Sequence, residues 1–276
     1  MTAQVLAKMD VPPDFEADGG LRYVHRRDGD ADLYFIANRG DHPLASLCRF
    51  RVTGRQPEWW NPVTGERRDL PEYVQKDNLT VLPVRLEAYE SGFVVFRKPA
   101  VQAARTGRNF PELTTVLTLT TPWEIAFDPK WGGPDKITFT QLEDWSKREE
   151  PGIKYYSGKA IYRTTFDCAA MAAGRPGAQV FLSLGDVKNL ASVRLNGQDL
   201  GTVWCPPWRV GIPAGLLHQQ KNALEITVAN LWINRLIGDV AQPGQRLAQT
   251  TWNPFQANSP LQPSGLLGPV TLHAPE

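Results

Sequence analysis

The sequence is poor in the residues from which metal and redox centres are built. Three cysteines, Cys48, Cys168 and Cys205, stand far apart in 276 residues, with no C-x-x-C pair and no disulfide-framework spacing. They read as small buried apolar side chains. Four histidines, His25, His42, His218 and His273, show no ligand spacing and read as structural or surface groups, so neither a cofactor nor a metal is expected. A dominant charge is missing too: 30 Lys and Arg stand against 29 Asp and Glu. No net field exists to collect a phosphate backbone or an anionic membrane, which excludes nucleic acid and membrane as partners. No 18 apolar residues run together, and "MTAQVLAKMDVPPDF" lacks a signal-peptide core. As written, the chain is expected to be soluble, with no export address. G-x-S-x-G, H-E-x-x-H, G-x-x-x-x-G-K-[ST] and G-x-G-x-x-G are all absent.

What is present is aromatic and turn-forming: nine Trp, seven Tyr and eleven Phe, with 23 Gly and 23 Pro. Many short strands joined by turns predict an all-β chain of sandwich or jelly-roll type. The length favours two domains. "LRYVHRRDGDADLYFIANRG" reads as a hairpin turning at Asp28-Gly29, and "LASLCRFRV", "LTVLPVRL" and "GFVVFRK" continue the alternation. The domain expectations are a flexible start over 1–11, a β-sandwich over 12–98, a linker over 99–110 in "PAVQAARTGRNFPEL", and a jelly roll over 111–276. Strands are expected there at "TVLTLT", "WEIAFD", "KAIYRTTFD", "AQVFLSLG", "LASVRLNG", "ALEITVAN" and "PVTLHA". Asn196-Gly197 is the strongest hairpin signal. "TFTQLEDWSKREE" is expected to hold a short helix that Pro151-Gly152 stops. "NLT" at Asn78 fits a glycosylation sequon, a triplet common by chance.

Paired carboxylates would signal a glycosidase. Glu124, Asp128, Asp144 and Glu225 are available, but sequence gives no way to pair them, and residues of this kind are more often solvated surface charges. Sugar binding needs flat aromatic faces for ring C–H surfaces, with amides, carboxylates or guanidinium groups for paired hydroxyls. Seven of the nine tryptophans fall in the second domain. Candidate carbohydrate-binding residues are Trp131, Asp144, Trp145, Tyr156, Trp204, Trp208, Asn230, Trp232, Asn234, Arg235 and Trp252. The competing reading places Trp123 and Trp208 in the core and packs the others against a neighbouring domain. "NLWINRLIGD" is expected to be a loop leaving the "EITVAN" strand. There Arg235 and Asp239 either meet sugar or close the loop by an internal ion pair.

At "GIKYYSGKAIYRTTFD" followed by "VFLSLGDVKNLASVRLNGQDLGTVWCPPWRVGIPAGLLHQQKNALEITVANLW" the chain resembles the galactose-binding-like jelly roll of family 2 glycoside hydrolases. The S-G-x-x-x-Y-R-x-x-F, L-x-L-G, V-x-L-N-G, I-P-x-x-L and N-x-L-x-I-x-V segments appear in order. With "VHRRDGDADLYFIANRG…FRVTGRQPEWWNPVTGE" ahead of it, the chain is similar more nearly to the C-terminal region of the bacterial α-L-rhamnosidase family, glycoside hydrolase family 106. That resemblance implies two β-sandwich domains, the second galactose-binding-like. It also implies catalytic carboxylates and a calcium site on an upstream (β/α)₈ barrel, which takes about 250 residues of alternating strand and helix. Nothing in this sequence alternates so, and no catalytic residue carries over. The implied function is a non-catalytic carbohydrate-binding accessory region acting on rhamnose-containing glycans, with carbohydrate and a barrel domain or subunit as partners. Family members are usually exported. The alternatives are an autonomous carbohydrate-binding protein and a small glycosidase with carboxylates on sandwich loops.

Overall fold

The structure, a computed structural model, describes residues 5, 6, 8, 9, 11–100, 107–168 and 179–275. Much of the expected flexible start and half of the expected linker, 101–106, lie outside the described residues. The chain divides into two compact units, Met1–Pro111 and Glu112–Glu276. Both are all-β sandwiches built of antiparallel sheets.

Among the described residues the first unit has nine strands: β1 (Phe15–Ala17), β2 (Arg22–Asp28), β3 (Ala31–Ala37), β4 (Leu44–Phe50), β5 (Arg55–Trp60), β6 (Arg67–Asp69), β7 (Val74–Lys76), β8 (Leu79–Leu86) and β9 (Ser91–Pro99). They form a four-stranded sheet, β1-β4-β8-β7, and a five-stranded sheet, β2-β3-β9-β5-β6. Alternation decides which face is inward. In β8, Thr80, Leu82, Val84 and Leu86 are buried while the residues between them are not. Tyr34, Ile36, Phe50, Trp59, Val94 and Phe96 complete the core. The β2–β3 turn is centred one residue later than expected: Asp28 pairs with Ala31, leaving Gly29-Asp30 as its tip. Gly92 is required where it stands, because a Cβ there would meet the Trp59 ring at 2.1 Å. Burial pushes the Cys48 thiol up to about 12, so it packs as an inert apolar group.

The second unit contains β10 (Leu113–Thr118), β11 (Trp123–Phe127), β12 (Ile137–Phe139), β13 (Lys159–Phe166), β14 (Val180–Ser183), β15 (Asp186–Lys188), β16 (Leu190–Leu195), β17 (Gln198–Val203), β18 (Arg209–Ile212), β19 (Asn222–Ala229), β20 (Gly265–Gly268) and β21 (Thr271–Pro275). A four-stranded sheet, β10-β21-β14-β18, and a six-stranded sheet, β12-β11-β13-β19-β16-β17, are accompanied by the pair β15-β20. This is a jelly roll over one large core, which includes Trp123, Phe139, Trp145, Tyr156 and Tyr162. Asn196 (φ 50) and Gly197 (φ 83) form the β16–β17 turn, the left-handed pair that a two-residue hairpin demands.

Two expectations need correction here. "TFTQLEDWSKREE" gives a strand and a single 3₁₀ turn, Trp145–Lys147. The helix α1 (Pro151–Lys154) begins at Pro151 instead of being stopped by it. Proline suits a first helical position, where its missing N–H has no partner to lose. "NLWINRLIGD" is not a loop: Ile233–Ala241 is a nine-residue helix, α2. Six consecutive residues of it, Asn234 to Asp239, are buried, so tertiary burial overrides the polar look of the segment.

Candidate functional site

The structure sorts the eleven candidate residues of the second unit into an enclosed group and a rim. Trp145 and Tyr156 are fully enclosed, Asn234 and Arg235 nearly so, and Asp144 is buried. Trp145 stacks on Tyr162 at 6.3 Å and 10° and meets Phe127 and Tyr156 edge-on. Its Nε1 donates to the Tyr162 hydroxyl at 2.6 Å. Burial raises both the Tyr162 and Tyr156 phenols above their ordinary range. They remain neutral and act as fixed hydrogen-bonding groups, Tyr156 donating to the Lys159 carbonyl at 2.7 Å.

Asp144, Asn230 and Asn234 converge on Ser264, a residue the sequence reading did not single out. Its N–H donates to Asp144 Oδ1 at 2.9 Å, and the same oxygen accepts from Ser146 N and Oγ at 2.9 and 2.8 Å. The Ser264 hydroxyl accepts from Asn230 Nδ2 at 3.3 Å and from Asn234 Nδ2 at 3.0 Å. Asn234 also brackets Gln262, donating to its carbonyl at 2.7 Å and accepting from its N–H at 2.8 Å. Asn230 joins the Tyr156 carbonyl at 2.8 Å and the Gly158 N–H at 3.0 Å. Ser157 donates to the Leu231 carbonyl at 2.8 Å. Together these groups hold four chain segments, around residues 144–146, 156–158, 230–234 and 262–264. The available signal was a pair of Ser-Gly dipeptides, Ser157-Gly158 and Ser264-Gly265, at the mouths of β13 and β20. At Gly265 (φ 101) a Cβ would meet the Trp145 ring at 2.5 Å.

Arg235 and Asp239 sit one helical turn apart, with Nε 2.9 Å from Oδ1 and both side chains nearly enclosed. The Nε–H is not aimed along that line and makes no hydrogen bond, so the pair is held by charge rather than by a directed bond. Asp239 directs its oxygens elsewhere, accepting from Leu247 N at 3.0 Å and Ala248 N at 2.8 Å. Of the two roles open for this pair, the geometry matches internal closure.

The rim is different in kind. Trp204, Trp232 and Trp252 are 59%, 51% and 74% exposed. Register explains why several apolar side chains gather at one end of the six-stranded sheet. Ala191 pairs with Val203, and Leu190 with Ala229. Trp204, just past Val203, therefore leaves the sheet where β16 begins and where β19 hands over to Leu231 and Trp232. Leu190 and Leu231 are exposed there as well. Asn253, next to Trp252, donates to the Leu236 carbonyl in α2 at 2.9 Å. Trp131 and Trp208 are intermediate, packing partly against the core. Among the described residues no cluster of three or more His, Cys, Asp or Glu is gathered to hold a metal. Nor is any described helix long and apolar enough to cross a membrane.

A pair of antiparallel sandwiches, the second with an aromatic rim, fits a glycoside-hydrolase-related region. The comparisons with known proteins agree. The family described as alpha-L-rhamnosidase matches residues 1–75. The solved rhamnosidase from Novosphingobium sp. PP1Y aligns with a TM-score of 0.89 and 38% identity, covering 99% of this chain and 26% of that one. A putative beta-glucuronidase from Formosa agariphila is 32% identical over 175 residues, covering 55% of this chain and 15% of that protein. The chain thus spans about a quarter of the solved rhamnosidase and less of the curated relative. It resembles a region of the α-L-rhamnosidase family, as its motifs imply.

Proposed function

We propose that this chain is the non-catalytic, C-terminal carbohydrate-binding accessory region of an α-L-rhamnosidase-like glycoside hydrolase that acts on rhamnose-containing glycans, with catalysis on a (β/α)₈ barrel domain or subunit. The observation that carries the reading is the match to the solved rhamnosidase along nearly the whole chain, while three quarters of that protein lies outside the match. The candidate carboxylates support it. Asp128 and Asp144 accept from backbone N–H groups, and Glu124 and Glu225 are paired with Lys136 and Arg163. A glycosidase needs one carboxyl free to protonate the leaving oxygen and a second to act as base or nucleophile. Sugar contact falls to Trp204, Trp232 and Trp252, whose open faces suit ring C–H surfaces.

The test is hydrolysis of an aryl α-L-rhamnoside by the purified chain. The expected rate equals that of buffer. Turnover that disappears on replacing one of this chain's carboxylates would overturn the proposal and establish a small glycosidase.

A further inference from the structure

Away from the tryptophan rim, the outer face of the six-stranded sheet carries a groove of about 740 Å³, edged by Pro122 and Gly197. Its floor is ordered by strand register. Glu124 stands opposite Arg163, Arg163 opposite Glu225, and Glu225 opposite Arg194. Carboxylate and guanidinium alternate across four neighbouring strands, a row about 14 Å long at about 4.8 Å per strand. The span suits a short extended oligosaccharide.

The row is only partly engaged with itself. Arg163 donates from Nε to Glu225 at 2.8 Å, and among the described residues its Nη atoms make no hydrogen bond. Arg194 gives Nη2 to the Gly197 carbonyl at 3.0 Å, leaving its other donors open. Lys136 caps the far end by pairing with Glu124. Glu124, Arg163 and Glu225 are all substantially exposed. An alternating ladder would by itself be an ordinary way to stabilise a sheet face. The recess and the open donors and acceptors within it go further.

The chemistry selects the ligand. Within the groove lining, to which Lys136 does not belong, two carboxylates and two guanidinium groups cancel, so an anionic or cationic chain would meet a like charge at every second position. Hydroxyl groups both donate and accept and therefore suit each position in turn. Pro122 and Ala223 border the row with apolar surface for ring C–H faces. We propose that this groove binds a neutral oligosaccharide laid across the strands, as a second sugar site separate from the tryptophan rim. The proposal rests on the accessory-region reading given above.

The test is a titration of the isotope-labelled full chain with a rhamnose tetrasaccharide, followed by amide and indole NMR signals, with an oligogalacturonate of equal length as the acidic comparison. Saturable shifts are expected at the amides of Glu124, Arg163, Arg194 and Glu225, with weaker or no response to the acidic sugar. The double substitution R163A/E225A removes one charge of each sign, so no partner is stranded. It should lower groove affinity at least tenfold without moving the unfolding temperature or the Trp232 indole response. Shifts confined to the tryptophan indoles, unchanged affinity in the double variant, or tighter binding of the acidic sugar would each overturn the groove site and leave the accessory reading standing. Aryl rhamnoside hydrolysis lost in Glu225→Gln would overturn both.

Discussion

Trp145 and Trp232 look alike in the sequence. Each is an indole beside polar neighbours, in "EDW" and "NLWIN", within a jelly roll that resembles a sugar-binding domain. In the fold they are opposites. Trp145 is wholly enclosed, hydrogen-bonded and stacked, while Trp232 is half exposed at the head of α2. The same contrast divides the polar candidates, with Asp144, Asn230 and Asn234 tied to Ser264 and its neighbours. The residue types that recognise sugar hydroxyls are the ones that also satisfy buried loop backbone. Which job a residue does depends on whether water reaches it.

The contrast breaks first at Trp145. Trp145→Ala removes a buried ring and one of the two donors to the Tyr162 hydroxyl, and should cost about 3 to 5 kcal/mol. For a unit of this size that lowers the unfolding temperature by roughly 10 °C. A variant that melts like the native chain would place Trp145 outside the core.

Asp239→Ala should be nearly as damaging, about 3 to 5 kcal/mol, because it strands the enclosed Arg235 guanidinium. Adding Arg235→Met should restore most of the loss. No rescue in calorimetry of the double variant would show that the Leu247 and Ala248 N–H bonds, rather than the buried charge, carry the effect. Smaller again is Asp144→Ala, expected to cost about 1 to 3 kcal/mol by leaving the Ser264 and Ser146 N–H groups without an acceptor. Chemical denaturation measures this, and an unchanged midpoint would mean that other groups take over as acceptors.

Much of this architecture was legible because it rests on short-range pattern. Period-two alternation placed β8, β9, β13 and β19, and Asn196-Gly197 marked its hairpin, since each signal reports a local requirement of the backbone. The short strands β12 and β15 went unseen. Three or four residues carry little alternation, and those strands exist because long-range neighbours offer partners. The helix α2 was missed for a related reason: its burial comes from segments distant in sequence. Within the candidate site, residue types drew attention to one end of the jelly roll but could not separate Trp145 from Trp232. Ser264, the hub of the enclosed group, has no chemistry of its own to advertise. The row of Glu124, Arg163, Glu225 and Arg194 was out of reach as well, because it becomes a row only through the register of four strands.

The smallest expected effect on stability belongs to the residue on which the functional reading depends most. Trp232→Ala, measured by thermal unfolding and by calorimetric titration with a rhamnose-containing oligosaccharide on the same preparation, separates the two roles directly. The account predicts a stability change within about 0.5 kcal/mol, as for an exposed side chain, with binding at the rim weakened by about 1 to 3 kcal/mol. A sharply lowered unfolding temperature with unchanged affinity would contradict it and assign the exposed tryptophans to the fold.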